Sequence, residues 1–173
     1  MLQAMPPSRS NTVILTFLAL LLIWAPIPLG SNRPWAWAIL EIAIAFVFVL
    51  HLIQYLRQPF SLNYLKWQLP LLTPLLIFQF YLALQVWQLI PSVDPNQTSV
   101  MLHKGIAYTI WAYLLLTYVR SAEDLQKMLL AVVVSGAIQA TYGVVLNLMD
   151  LPASPIIGMD EGGRARGSFV YQN

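Results

Sequence analysis

The sequence predicts an all-α integral membrane protein. Three observations carry that prediction. The 173 residues are 58% hydrophobic and only 9% charged, with no cysteine, whereas a soluble domain carries about 25% charged residues. The apolar residues gather in long segments without the polar stripe of a surface helix. Those segments are separated by short stretches holding most of the prolines and most of the charges.

About five transmembrane helices are expected, near 12–29, 35–56, 69–90, 104–120 and 126–148. A cytoplasmic tail of residues 1–11 precedes them, and an extracytoplasmic loop, 150–173, follows the 12–149 helical region. The first segment has the basic start and apolar core of a signal peptide, but no small-residue cleavage site follows it. Pro26, Pro28 and Gly30 lead instead into Asn32-Arg33-Pro34-Trp35, so the span is expected to stay attached. The second segment is long enough to cross a bilayer, which needs about 20 residues. It contains Glu41 and ends at His51, Gln54, Tyr55 and Arg57.

The third segment has Pro70 and Pro74 in its first turns and Gln79, Gln85 and Gln88 in its far half. Gln85 and Gln88, at i, i+3 spacing, are expected on one face, and the glutamines are expected to touch a neighbouring helix or the membrane interface. Residues 91–104 read as a loop, given Pro91, Pro95 and Asn96. The apolar run that follows is short, and His103, Lys104 and Arg120 extend it by snorkelling. Ser121 and Asp124 form a capping box for the fifth helix. That helix carries Ser135, Gly136, Ala140 and Gly143, small residues that permit close helix contact in lipid. Gln139, mid-span, is expected to face protein, because an unbonded amide is costly there.

Basic residues set the orientation. With the N-terminus cytoplasmic, Arg9, Arg57, Lys66, Arg120 and Lys127 lie inside, and Arg33, Lys104, Arg164 and Arg166 outside. Discounting the last pair for its distance from the fifth span leaves the excess inside. Tryptophans near the segment ends fit the headgroup layer.

Several functional classes lack their signatures. No Walker loop, GxGxxG or HExxH occurs. His51 and His103 fall on opposite expected sides, so no shared metal site is expected. The scattered cations form no patch for nucleic acid. Glu41, roughly 9 Å of helix below Trp35, is the acid well inside a span. With Gln139 it is a candidate intramembrane polar site, since such acids face a bundle interior or cavity. Arg33 could line an entrance for a phosphate-bearing lipid or reach headgroup phosphates. Arg164 and Arg166, flanked by Gly162, Gly163 and Gly167, can pair bidentately with phosphate, bind anionic headgroups, or pair with Asp160 and Glu161.

Three stretches together carry a family resemblance. They are the 26–36 turn around Arg33-Pro34-Trp35, the Gly136-Ala-Ile-Gln139 helix, and Arg164-Ala-Arg166-Gly167-Ser168-Phe169-Val-Tyr-Gln-Asn173. They resemble the N-terminal portion of bacterial O-antigen ligases and O-antigen polymerase-like membrane proteins. The resemblance implies a truncated part of a larger polytopic bundle in the bacterial inner membrane. It implies metal-independent glycosyltransferase chemistry without cofactor, in lipopolysaccharide or polysaccharide biosynthesis. The implied partners are a polyprenyl-diphosphate-linked glycan (undecaprenyl in the family), membrane lipids, and a lipid A core or other glycan acceptor. It also implies that Arg164 or Arg166, with Arg33 beside them, binds the diphosphate. The family's catalytic histidine lies in a later loop, so this stretch is expected to hold no catalytic residue and to be inactive alone. The alternatives are a transporter or exporter component for glycan or small solute, and a non-catalytic remnant or assembly protein.

Overall fold

The structure, a computed structural model, describes residues 9–26, 34–56 and 63–149. Within them the chain is all α-helix and turn. The elements are α1 (Arg9–Trp24), α2 (Pro34–Leu56), α3 (Asn63–Val86), α4 (Pro95–Tyr118) and α5 (Ala122–Leu148). Three helical stretches are long and apolar enough to cross a membrane: Pro34–Leu56, Lys66–Val86 and Ala122–Val145. The apolar part of α1, Asn11–Trp24, is shorter. The expectation of about five spans therefore reduces to three helices with that property among the described residues.

α4 falls outside the three for a reason visible in its sequence. It does not begin near residue 104 but at Pro95, taking up most of the expected loop. Its first turns are the polar Pro95-Asn96-Gln97-Thr98-Ser99, and His103 and Lys104 lie well inside it. The start is well capped. Pro95 sits in the first turn, where a missing N–H costs nothing. The Asp94 carboxylate accepts the Gln97 amide at 3.1 Å, and Ser92 and Thr98 pair their hydroxyls at 2.7 Å.

α3 likewise starts earlier than expected, so Pro70 and Pro74 lie inside the helix rather than in its first turns. The helix continues unbroken through both. Between them Thr73 Oγ1 donates to the Leu69 carbonyl at 2.6 Å. α3 ends at Val86, and Gln88 has φ of 59°. Gln88 therefore leaves the helix and does not share a face with Gln85. Gln85 Nε2 instead donates to Tyr81 Oη at 3.2 Å and to the Pro91 carbonyl at 3.4 Å.

The chain divides into two compact units, with the division between Ala43 and Ile44 inside α2. The first holds α1, the start of α2 and α5. There α1 packs against α5, burying Ile14, Leu18 and Leu21 on one side and Met128, Ala131 and Ser135 on the other. The i, i+3/i+4, i+7 spacing places each set on one helical stripe. The capping box forms as expected: Ser121 N–H donates to Asp124 Oδ2 at 3.1 Å and Asp124 N–H to Ser121 Oγ at 3.0 Å.

The second unit holds the end of α2 with α3 and α4. α3 packs on α4, with Leu72, Gln79 and Leu82 buried on α3 and Ala107, Leu114 and Tyr118 on α4. Ile44, Val47 and His51 are buried along α2.

Outside these narrow stripes the helices remain apolar. Ile42, Leu71, Ile77, Phe80 and Val133 are each at least 63% exposed. So much apolar surface on a chain with so little charge is satisfied by lipid. This is a membrane-embedded α-helical protein.

A candidate polar site at one end of the second unit

Polar side chains that enter an apolar bundle need partners, and the second unit supplies them at one end. His51 lies on α2, buried to 6% exposure. Its position follows from Ile44, Val47 and His51, which continue one buried stripe. α4 contributes Tyr113, Thr117 and Tyr118, about one turn apart. His51 Nδ1 stands 3.0 Å from Tyr118 Oη, and Nε2 stands 3.0 Å from Tyr113 Oη. Tyr118 Oη in turn donates to Gln54 Oε1 at 3.1 Å.

Aromatic rings enclose the imidazole. Phe48 stacks on it at 6.1 Å and 25°. Tyr113 and Tyr118 meet it edge-on, at 5.3 and 5.7 Å, and Tyr55 is tilted at 6.2 Å. α3 joins the same end through Gln68, whose Nε2 donates to Thr117 Oγ1 at 3.1 Å. Thr117 passes its own hydrogen to the Tyr113 carbonyl at 2.7 Å. Arg120 Nε donates to the Thr117 carbonyl at 2.6 Å, finishing the helix end.

Farther along the α3/α4 contact, Gln79 is buried against Gly105, which has no Cβ to obstruct it. The expectation that a glutamine of this segment touches a neighbouring helix is met by Gln79. In the first unit the corresponding tie is Ser135 Oγ, which donates to the Ile23 carbonyl of α1 at 3.2 Å. Ser135 and Gly143 are the small residues that α5 turns inward. Gly136 and Ala140 are exposed, and a Cβ at Gly136 would meet no described atom within 4 Å. The close-contact face of α5 is thus the Ser135 face, one residue round from the Gly136 face.

Of the sites expected from sequence, Glu41 is half-buried on α2 and Gln139 half-buried on α5, both in the first unit. Arg33, Arg164 and Arg166 lie outside the described residues. Among the described residues no group of His, Asp and Glu could hold a metal ion. His103 has a local partner, the Ser99 carbonyl at 2.8 Å.

The His51 cluster was not expected. Its signal lay in the polar endings of two apolar segments: His51, Gln54 and Tyr55 at i, i+3, i+4, and Tyr113, Thr117 and Tyr118 at i, i+4, i+5. Pairing those two endings required the helix packing.

Fold and cluster together define a class: a helical membrane protein whose helices are tied by buried side-chain hydrogen bonds. No protein-family model, curated protein or solved structure matches the chain. The resemblance to O-antigen ligases therefore has no support from any of the three comparisons. The designations O-antigen ligase, glycosyltransferase, and lipopolysaccharide or polysaccharide biosynthesis overstate what the chain shows and are withdrawn. Membrane and transmembrane helix stand.

Proposed function

We propose that this chain is part of a polytopic bacterial inner-membrane protein that binds a polyprenyl-diphosphate-linked glycan. In this reading Arg164 and Arg166 hold the diphosphate in an extracytoplasmic loop, with Arg33 nearby, and the N-terminus is cytoplasmic. No transfer chemistry is part of the proposal. The observation that carries it is the run Gly162-Gly163-Arg164-Ala165-Arg166-Gly167, which follows helices of membrane-spanning length. Guanidinium forks suit phosphate oxygens, and glycines allow the backbone to approach a ligand closely. The basic residues at 57, 66, 120 and 127 support the orientation by their excess on one side.

The test is binding of undecaprenyl-diphosphate-linked saccharide to the protein in nanodiscs made of zwitterionic lipid. R164A/R166A should weaken binding at least tenfold, the loss expected when charge-assisted bonds worth roughly 1.5–3 kcal/mol each are removed. Equal binding by the double variant would refute the reading.

A second reading is a non-catalytic assembly protein, whose helices serve as a scaffold for a partner. It is favoured by the closed hydrogen bonding around His51, where both ring nitrogens are engaged by tyrosine hydroxyls. A co-purifying membrane partner that is retained on R164A/R166A, with lipid-linked saccharide binding absent in the parent protein, would support it. The transporter alternative gains nothing from α3, which runs unbroken through both prolines rather than ending in half-helices.

A further inference from the structure

The direction of each hydrogen bond around His51 can be worked out from its ends. Gln54 Oε1 is an acceptor only, so the Tyr118 hydroxyl hydrogen points to it. That leaves the Tyr118 oxygen to accept, and His51 Nδ1 must therefore carry the hydrogen that bridges them. A neutral imidazole with hydrogen on Nδ1 has a lone pair on Nε2, which accepts from the Tyr113 hydroxyl. The relay thus runs one way: Tyr113 to His51 to Tyr118 to Gln54.

We propose that His51 is a proton-binding site, at rest a neutral Nδ1–H imidazole, and that uptake of a second proton at Nε2 reverses the Tyr113 hydroxyl from donor to acceptor. One proton comes from hydronium in the adjoining water layer, leaving water, one N–H bond forms at Nε2, and the Tyr113 O–H turns away from the ring. The ring gains one positive charge, and no other covalent bond changes. The Nδ1–H bond to Tyr118 persists, so α2 and α4 stay tied in both states while the polarity at Tyr113 inverts.

The hydrogen-bond partners serve both states. A tyrosine oxygen can donate or accept, so each ring nitrogen keeps a partner after protonation. The Phe48 ring lies near-parallel to the imidazole at 6.1 Å. His51 stands about 7.5 Å of helix from the end of α2, which puts it near the water layer rather than at mid-bilayer. The titratable groups facing it are Tyr55 on its own helix and Tyr113 and Tyr118 on α4. Arg120 follows just past the end of α4, its Nε donating to the Thr117 carbonyl. From α3 the group at this level is Gln68, with Lys66 exposed just before it. The acid in residues 44–120 is Asp94, at the opposite end of α4, roughly 36 Å away along the helix. No described carboxylate of this unit therefore shares the proton.

The chain has two histidines, His51 and His103, which makes the test direct. H103Q protein carrying 15N-labelled histidine and no histidine tag, reconstituted in liposomes, reports on His51 alone. At about pH 8 the nitrogen spectrum should show Nδ1 protonated and Nε2 bare. By about pH 5, below the ordinary imidazole range, both should be protonated with the helical circular dichroism unchanged. In Y118F/H103Q the Nδ1 hydrogen loses its acceptor, and the hydrogen should move to Nε2, donating to Tyr113. A histidine whose tautomer Tyr118 does not set would show no such reversal, and a merely structural one would not take up the second proton. An Nε2–H ring in H103Q at about pH 8, a ring still singly protonated at about pH 5, or an unchanged Nδ1–H ring in Y118F/H103Q would each overturn the proposal.

Discussion

The side-chain amide of Gln79 on α3 occupies the space that a Cβ at position 105 of α4 would fill. The two helices approach at this point because Gly105 offers only backbone, and Gln79 is buried there as a consequence.

Gly105→Ala should therefore destabilise the α3/α4 pair, since the new methyl must displace the Gln79 amide. The displaced group is the far end of a flexible side chain. The cost therefore lies at or below the low end of the about 1–3 kcal/mol of overpacking, and the roughly 0.5–1 kcal/mol of added helix propensity offsets part of it. Unfolding in mixed micelles should show the loss, and Gln79→Ala in the same chain should recover most of it, as expected for residues in contact. Gly136→Ala provides the contrast. Nothing described lies within 4 Å of its added Cβ, and the helix gains roughly 0.5–1 kcal/mol of propensity. It should be neutral or stabilising.

Thr117→Val should remove the Gln68 to Thr117 bond and the Thr117 to Tyr113 carbonyl bond together. Interhelical bonds in membranes average about 0.6 kcal/mol and reach about 1.7. A loss within that span is expected from the same unfolding measurement, with Gln68→Leu giving a similar value and the double variant showing coupling.

Ser135→Leu should separate α1 from α5. It replaces a buried small side chain that donates to the Ile23 carbonyl with one that cannot fit, whereas Ser135→Ala removes only the bond. Crosslinking between cysteines placed on α1 and α5 should persist in the alanine variant and fall sharply in the leucine variant.

Much of this architecture was legible from residue chemistry. The scarcity of charge placed the helices in lipid, and Ser121 with Asp124 located the start of α5 because capping is a local effect. Packing was harder to read. Choosing between the Ser135 and Gly136 faces of α5 depends on the position of α1, which no periodicity in α5 encodes. The beginning of α4 was misplaced because Pro95 signals a turn as readily as a first helical residue. His51 was weighed only as a metal ligand, since its tyrosine partners lie more than sixty residues along the chain and become neighbours only when α2 meets α4. The arginine pair at 164 and 166 was legible as chemistry from the sequence and lies outside the described residues.

Residence of Pro34–Leu56, Lys66–Val86 and Ala122–Val145 in a bilayer underlies everything above, and cysteine accessibility tests it most directly. The chain has no cysteine of its own, so Ile42→Cys, Ile77→Cys, Val133→Cys and the turn control Val93→Cys each report one position. All four side chains are exposed on the protein itself, so differences in labelling reflect lipid. With a polar maleimide admitted to both sides of the vesicles, Val93→Cys should label fully. The three helix positions should remain unlabelled until detergent is added. Labelling of Ile42→Cys, Ile77→Cys and Val133→Cys in intact lipid at the rate of Val93→Cys would contradict the account.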